Sequence, residues 1–245
     1  MAIVFDLDGT LIDSAPDIHA AANKVFTAKG LAPFPFDVVR GFIGNGVGVL
    51  VSRLLQSQSL DGTGSLHAEL VGNFVKLYEE TFDRTSLYPG VIETLNDLSA
   101  AGYQLGICTN KPELPARAAL RHFGLDRHMQ VLIGGDSLPQ RKPDPAPLRA
   151  ALAALGNGPA LFVGDSEVDA ETAQAAGVAL ALFTGGYRKT PADALGAKLI
   201  FDDFGTLPRL VDDLLPCLQP FASTEGDLIT SVVIQARRGH LLSTE

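Results

Sequence analysis

Ala2-Ile3-Val4-Phe5-Asp6-Leu7-Asp8-Gly9-Thr10 follows the first methionine, and its reading decides the fold. Four successive apolar residues, two of them β-branched and one aromatic, predict a strand buried on both faces. Asp6 and Asp8 stand two residues apart, so in extended backbone they point the same way, and Gly9 lets the chain turn sharply enough for both to face one ligand. A turn built on Asp side chains would also explain this stretch taken alone. An EF-hand would not, because Gly9 stands where the third oxygen ligand belongs and no Glu closes the loop at the twelfth position.

The pattern of a short apolar run ending in polar residues recurs along the chain. Gln104–Cys108 runs into Thr109-Asn110, Met129–Ile133 precedes Asp136, Ala160–Val163 precedes Asp165, Val178–Phe183 ends at Thr184-Gly185-Gly186, and Lys198–Phe201 ends at Asp202. Helix-length segments separate these later runs, which predicts an α/β fold with a doubly wound parallel sheet. Ligands of such sheets bind at the carboxyl ends of the strands, where these polar residues collect.

The gap between the first two runs is far too long for one crossover helix. It contains helical periodicity instead: Ala15–Ala28 is Ala-rich and ends near Gly30, Val47–Gln58 spaces Val47, Leu50, Val51, Leu54 and Leu55 helically, and Leu66–Phe82 does so with Leu66, Leu70, Phe74, Leu77 and Tyr78. The expected organisation is therefore a core of residues 1–14 and 86–219 interrupted by a helical insertion at 15–85, with a tail at 220–245 of unassigned role, where Ile229–Ile234 reads equally as a strand or a loose segment. Tyr88-Pro89-Gly90-Val91 marks the return into the sheet, followed by a helix to about Ala101.

Composition agrees with a globular protein: 46% of the 245 residues are hydrophobic, and 19 Lys and Arg against 28 Asp and Glu leave a net charge of −9. The absence of any basic block argues against a nucleic-acid partner. No apolar stretch approaches the roughly 18 residues of a membrane span, so no membrane partner is expected. The N-terminal stretch lacks the basic leader of a signal peptide. Cys108 and Cys217 match neither a zinc nor a redox spacing, and both are expected to be buried, reduced thiols of a cytoplasmic protein. The five histidines, His19, His67, His122, His128 and His240, have no ligand spacing.

Three further motifs join the first. Thr109-Asn110-Lys111-Pro112 offers a hydroxyl, an amide and free backbone N–H groups at a helix start, a set suited to phosphoryl oxygens although a plain helix cap would also use it. Arg141-Lys142-Pro143-Asp144-Pro145 puts Lys142 ahead of a Pro-opened helix, where a solvated cation is the simple reading. Val163-Gly164-Asp165-Ser166-Glu167-Val168-Asp169 places two acids at a strand end and in the first helical turn beyond it. Four acids at neighbouring strand ends, Asp6, Asp8, Asp165 and Asp169, repel one another unless a cation sits among them. Oxygen-only ligation suits Mg²⁺ better than zinc.

In content and order these motifs resemble the haloacid dehalogenase-like hydrolases, in which a helical cap follows the first motif of a Rossmann-like core. Phe42-Ile43-Gly44-Asn45-Gly46, Tyr88-Pro89-Gly90-Val91 and the stretch from Gly134 to Pro143 are similar to the bacterial branch of that family that hydrolyses 2-phosphoglycolate. The resemblance covers about residues 2–215. It departs at Glu167-Val168, at Asp144 and in the tail. It implies that Asp6 is the nucleophile, that Asp8 is acid and base in turn, and that Lys142, oriented by Asp169, neutralises charge. Mg²⁺ would be held by Asp6, the Asp8 carbonyl and Asp165, with Asp169 outside the coordination sphere, and Thr109 and the Asn110 N–H would hold phosphoryl oxygens.

Asp8 disfavours dehalogenation, since a halide needs no proton. Phosphonate hydrolysis would need an insertion lysine, and Lys24, Lys29 and Lys76 are candidates. A sugar-phosphate phosphatase, a phosphomutase, or a non-catalytic binding module keeping the fold are the alternatives to hydrolysis of 2-phosphoglycolate. Gly44-Asn45-Gly46-Val47-Gly48 lacks the strand context of a dinucleotide fingerprint. It is expected either to be a simple interhelical turn or to bring Gly44, Asn45 and Gly46 to the substrate's carboxylate. A monomer and a homodimer are both compatible with the sequence.

Overall fold

The computed structural model of the protein describes residues 1–78, 82–156 and 158–218, together with the backbone of 220–221. The chain begins with β1 (Ala2–Phe5) and β2 (Ile12–Asp13), then enters the insertion with α1 (Ala15–Thr27), α2 (Phe36–Arg40), α3 (Val47–Ser57) and α4 (Gly64–Tyr78). It returns through β3 (Ser86–Leu87), α5 (Val91–Ala100), β4 (Gln104–Cys108), α6 (Glu113–His122) and β5 (Met129–Ile133). The last elements are α7 (Ala146–Leu155), β6 (Gly158–Gly164), α8 (Glu167–Ala176), β7 (Ala179–Phe183), β8 (Leu199–Phe201), α9 (Leu207–Leu214) and β9 (Pro220–Phe221).

The expected strands form one sheet in the order β5-β4-β1-β6-β7-β8, all parallel. Alternating residues of each strand feed opposite faces. Ile3, Phe5, Leu105, Ile107, Leu161 and Val163 meet Leu95, Leu98, Ala116, Leu120, Leu207 and Val211 on one side. Val4, Cys108, Phe162, Leu180 and Leu182 meet Leu148, Leu152, Ala170 and Ala173 on the other. The chain leaves β1 toward β4 and β5, then crosses back to β6 and continues outward, so strand order reverses beside β1. Such a switch point opens a crevice at the carboxyl edge. Register fixes what borders it: Phe5 lies opposite Ile107 and Val163, so Asp6, Thr109 and Asp165 follow at nearly the same level.

The inserted helices enclose a core of their own, in which Ile18, Ala22, Phe26, Val51, Leu54, Leu55, Leu70 and Phe74 are buried together. The periodic stripes predicted for α3 and α4 face this core, as does one side of the Ala-rich α1. Two features escape that reading. One is the short helix α2; the other is the antiparallel ribbon of β2 with β3, which closes the base of the insertion. Helix α4 is described over Gly64–Tyr78, and Phe82, the last residue of the expected helix, is outside any helix. Cys108 is buried as expected, but Cys217 is exposed, because it follows α9 at the rim of the sheet instead of in a strand; both thiols are free. The antiparallel pairing of β9 with β6 shows that the segment beyond residue 219 begins as an added edge of the core. Ile229–Ile234 and the rest of the tail lie outside the described residues. Among the described residues no helix is long and apolar enough to cross a membrane.

The base of the insertion is tied by buried polar groups. Asp17, only 2% exposed, accepts hydrogen bonds from the Arg84 N–H at 3.1 Å and the Thr85 hydroxyl at 2.6 Å. The Tyr187 hydroxyl accepts from the N–H groups of Ser14 and Ala15 and donates to Asp13. Arg40 donates to the Gly186 carbonyl at 2.7 Å and lies over the Tyr187 ring. Replacing Asp17 by Ala removes the acceptor of the Arg84 N–H and strands the buried Thr85 hydroxyl, so it is expected to destabilise the protein by about 2 kcal/mol. Urea unfolding of Asp17→Ala beside Asp17→Asn, which keeps an accepting oxygen, measures this; equal stabilities for the two variants would contradict it.

Candidate active site

Asp6 leaves β1 at the switch point, 7% exposed, and its carboxylate Oδ1 lies 3.0 Å from Lys142 Nζ without a hydrogen-bond partner of good alignment. Burial raises the Asp6 carboxyl to about 6, with Lys142 opposing and Asp169 adding to the rise. Lys142 is itself 2% exposed and donates to Asp169 Oδ1 at 2.7 Å. Burial alone would lower its affinity for the proton; Asp169 and Asp6 reverse that and hold the ammonium well above the ordinary lysine range.

Asp165, at the end of β6, accepts from the Thr10 hydroxyl at 2.8 Å and the Tyr187 N–H at 2.7 Å. Its burial, with Asp169 and Asp6 nearby, raises its carboxyl well above the usual range. Asp169 sits one turn into α8 and accepts from the N–H groups of Asp165 and Ser166, the Ser166 hydroxyl and Lys142. The Ser166–Asp169 reciprocal cap explains why an acid occurs at that helical position. Asp6, Asp165 and Asp169 offer carboxylate oxygens all within 4.8 Å of one another.

Close backbone approach makes this packing possible. Gly9 has φ +89°, and a Cβ there would stand 2.6 Å from Asp165 Oδ2; a Cβ at Gly164 would meet the Asp169 side chain at 2.4 Å. Gly9 therefore leaves room for a carboxylate of the other acidic motif, and Gly164 for a carboxylate of its own.

Asp8 points elsewhere, toward the insertion. Its Oδ1 accepts from the Ser14 hydroxyl at 2.6 Å and from Lys111 Nζ at 3.1 Å. Lys111 also donates to the Tyr78 hydroxyl at 2.5 Å, with its ammonium 3.8 Å from the centre of the Tyr78 ring. Burial lowers the proton affinity of Lys111, and Asp8 works against that shift. Thr109 is buried and its Oγ1 accepts from the Lys111 N–H. Asn110 Nδ2 donates to the carbonyls of Gly44 and Lys142, so its side chain ties insertion to core.

A cavity joins these groups: Asp6, Asp8, Thr109, Asn110 and Lys111 form its floor, and Ile18, Ile43, Gly44, Gly46, Val47, Leu50, Phe74 and Tyr78 line it from the insertion. The structure thus brings Asp6, Lys142, Asp165 and Asp169 into one cluster, with Asp8, Thr109 and Asn110 beside it and Gly44 and Gly46 above. Asn45 is not among the cavity-lining residues. Asp136, also at a strand end, accepts from the Glu113 N–H and serves the start of α6. Lys24, Lys29 and Lys76 are exposed and none lines the cavity, which removes the motive for a lysine-dependent phosphonate hydrolysis. Lys111, Tyr78, Ser14 and Tyr187 are site residues that the motifs did not single out by role; for Lys111 the available signal was its place directly after Asn110.

Comparison with known proteins agrees with this architecture. Residues 3–183 match the family model of the haloacid dehalogenase-like hydrolases, and the chain belongs to that family. A phosphoglycolate phosphatase of Cereibacter sphaeroides is 51% identical over 214 residues, covering 87% of this chain and 98% of the relative. Its counterpart in Rhodobacter capsulatus is 47% identical over 211 residues, 86% of this chain and 96% of the relative. Among solved structures, a protein of Haemophilus somnus described as a predicted phosphoglycolate phosphatase superposes with a TM-score of 0.80 at 35% identity, covering 86% of this chain and 97% of that one. The chain is a phosphatase of the family, a hydrolase of phosphoric monoesters.

Proposed function

We propose that this phosphatase hydrolyses 2-phosphoglycolate to glycolate and phosphate, with Mg²⁺, through a phosphorylated Asp6. The observation that carries the reading is a buried carboxylate, Asp6, whose Oδ1 has an ion pair to Lys142 but no hydrogen-bond donor, beside a second carboxylate, Asp8, on the same small cavity. Relatives of that name at about half identity along nearly their whole length support the substrate.

Asp6 needs no deprotonation to act at neutral pH, so its oxygen forms a bond to phosphorus as the ester bond breaks. Asp8 donates a proton to the departing alkoxide oxygen. It then takes one from the water that attacks phosphorus and releases Asp6 with inorganic phosphate. Lys142 offsets the charge on Asp6 and on the phosphoryl oxygens, held in place by Asp169. Thr109 and the Asn110 N–H bind the remaining phosphoryl oxygens. The helical insertion acts as a cap that excludes water from the cavity.

The donor set fits a hard divalent cation. Asp6, Asp165 and Asp169 bring three carboxylates together, with one buried ammonium against Asp6 and Asp169; Asp6 Oδ1 has no hydrogen-bond donor, whereas both oxygens of Asp169 are already bonded within the protein. Asp6, Asp165 and the Asp8 carbonyl would hold Mg²⁺, and Asp169 would stay outside. When bound it supplies positive charge between two anions that otherwise repel. Adding saturating Mg²⁺ to chelator-treated protein is expected to raise the melting temperature by about 5 °C, since a ligand near 100 times its Kd contributes about 2.7 kcal/mol. Asp165→Asn should abolish this shift, and a shift that persists undiminished in the variant would remove Asp165 from the metal site.

The substrate is tested by phosphate release from 2-phosphoglycolate, glucose 6-phosphate, ribose 5-phosphate and glycerol phosphate with Mg²⁺. The highest kcat/KM is expected for 2-phosphoglycolate. Preference for a sugar phosphate would overturn the substrate, and no release from any ester would overturn the reaction.

A further inference from the structure

We propose that Lys111, braced by Tyr78, is the residue that selects a carboxylate on the substrate's leaving group. The inference rests on the 2-phosphoglycolate reading and names the side chain that would enforce it.

Once the phosphoryl group lies against Asp6, the rest of a small substrate projects past Asp8 toward the insertion. The side chains of the walls there, Ile18, Ile43, Val47, Leu50 and Phe74, offer a carboxylate nothing, and Gly44 and Gly46 beside them bring uncharged backbone only. Among the described residues lining the cavity, Lys111 is the sole cation, since Lys142 is engaged with Asp6 and Asp169 outside that lining. Lys111 is 5% exposed, and burying an ammonium is costly unless it is compensated. The compensation is specific: an ion pair to Asp8, a hydrogen bond to the Tyr78 hydroxyl and the face of the Tyr78 ring. An ammonium has three donors, and these two partners leave one for a ligand.

Spacing makes the fit specific for a short acid. Lys111 Nζ lies 3.1 Å from the carboxylate that would protonate the ester oxygen. In 2-phosphoglycolate one methylene separates that oxygen from the carboxyl carbon, so the two functional groups of the substrate sit side by side as Asp8 and Lys111 do. A leaving group without a carboxylate leaves the ammonium with one donor unmet, and a longer hydroxy acid carries its carboxylate past it. Tyr78 belongs to α4, so the insertion itself completes this subsite.

The test compares kcat/KM for 2-phosphoglycolate with that for ethyl phosphate, the same ester lacking the carboxylate, in wild type, Lys111→Gln, Lys111→Arg and Tyr78→Phe. The ratio within one preparation is independent of the fraction of active enzyme. Lys111→Gln is expected to lower the ratio by about 10- to 100-fold, as loss of a charge-assisted contact to one substrate alone does. Lys111→Arg should retain more of the ratio, and Tyr78→Phe should lower it several-fold. A ratio in Lys111→Gln equal to that of wild type overturns the assignment, because a merely structural role would depress both esters alike. If Lys111→Gln turns over neither ester, Tyr78→Phe decides, and an unchanged ratio there overturns the assignment. A wild-type enzyme that does not favour 2-phosphoglycolate over ethyl phosphate overturns the substrate reading, and this assignment with it.

Discussion

Asp6→Asn is expected to lower the turnover of 2-phosphoglycolate by at least about 10⁴-fold while making the metal-free protein more stable at pH 7.5. The first effect is that of removing the proposed nucleophile, which no neighbour can replace. Asp165 and Asp169 are near, but their oxygens are committed to Thr10, Tyr187, Ser166 and Lys142. The second effect follows from the sign of the Asp6 shift. Its carboxyl rises from 3.8 to about 6 on folding, so between these values the native state binds a proton that the unfolded chain has released. Stability therefore falls as pH rises through that window, and above about pH 6 the whole cost is present, about 1–3 kcal/mol after allowance for Lys142. An amide carries no such cost. Phosphate release and thermal melting of the chelator-treated variant check both statements, and a variant that is inactive but less stable at pH 7.5 than at pH 4, relative to wild type, would contradict the electrostatic account.

Asp8→Asn is expected to separate substrates by their leaving groups. With 2-phosphoglycolate the alkoxide must be protonated, and loss of the acid should cost about 10²- to 10⁴-fold. With p-nitrophenyl phosphate the leaving group departs as a stable phenolate, so the first step survives and the second, which needs a base for water, becomes limiting. Rapid-mixing kinetics should then show a burst of nitrophenolate stoichiometric with enzyme and a slow steady state. Equal losses on both substrates with no burst would remove Asp8 from the proton transfers.

The sheet was legible because parallel strands buried on both faces must be apolar throughout, as Ala2–Phe5 is, and because each ends where chemistry begins. Asp6, Asp165 and Thr109 could be read as one site from those strand ends alone, since register in such a sheet aligns them. The paired strands Ile12–Asp13 and Ser86–Leu87 were not legible, because two residues carry no period and their partners lie more than seventy positions apart. Phe36–Arg40 is likewise too short for a stripe. Lys111 carries no role of its own within Thr109-Asn110-Lys111-Pro112, and only the arrival of Tyr78 from the insertion, beside Asp8, makes it a buried, partnered cation. Cys217 looks like a core residue by type, yet the chain reaches it at the sheet's rim.

Tyr187 gives the two halves of the molecule a shared fulcrum. Its peptide N–H anchors Asp165, while its hydroxyl gathers the chain at Asp13, Ser14 and Ala15, where the insertion departs. Any displacement of the helices at that junction would pull on the peptide whose N–H holds the Asp165 carboxylate. The seat of the insertion and the placing of Asp165 are therefore coupled through one side chain, so a change at either is felt at the other.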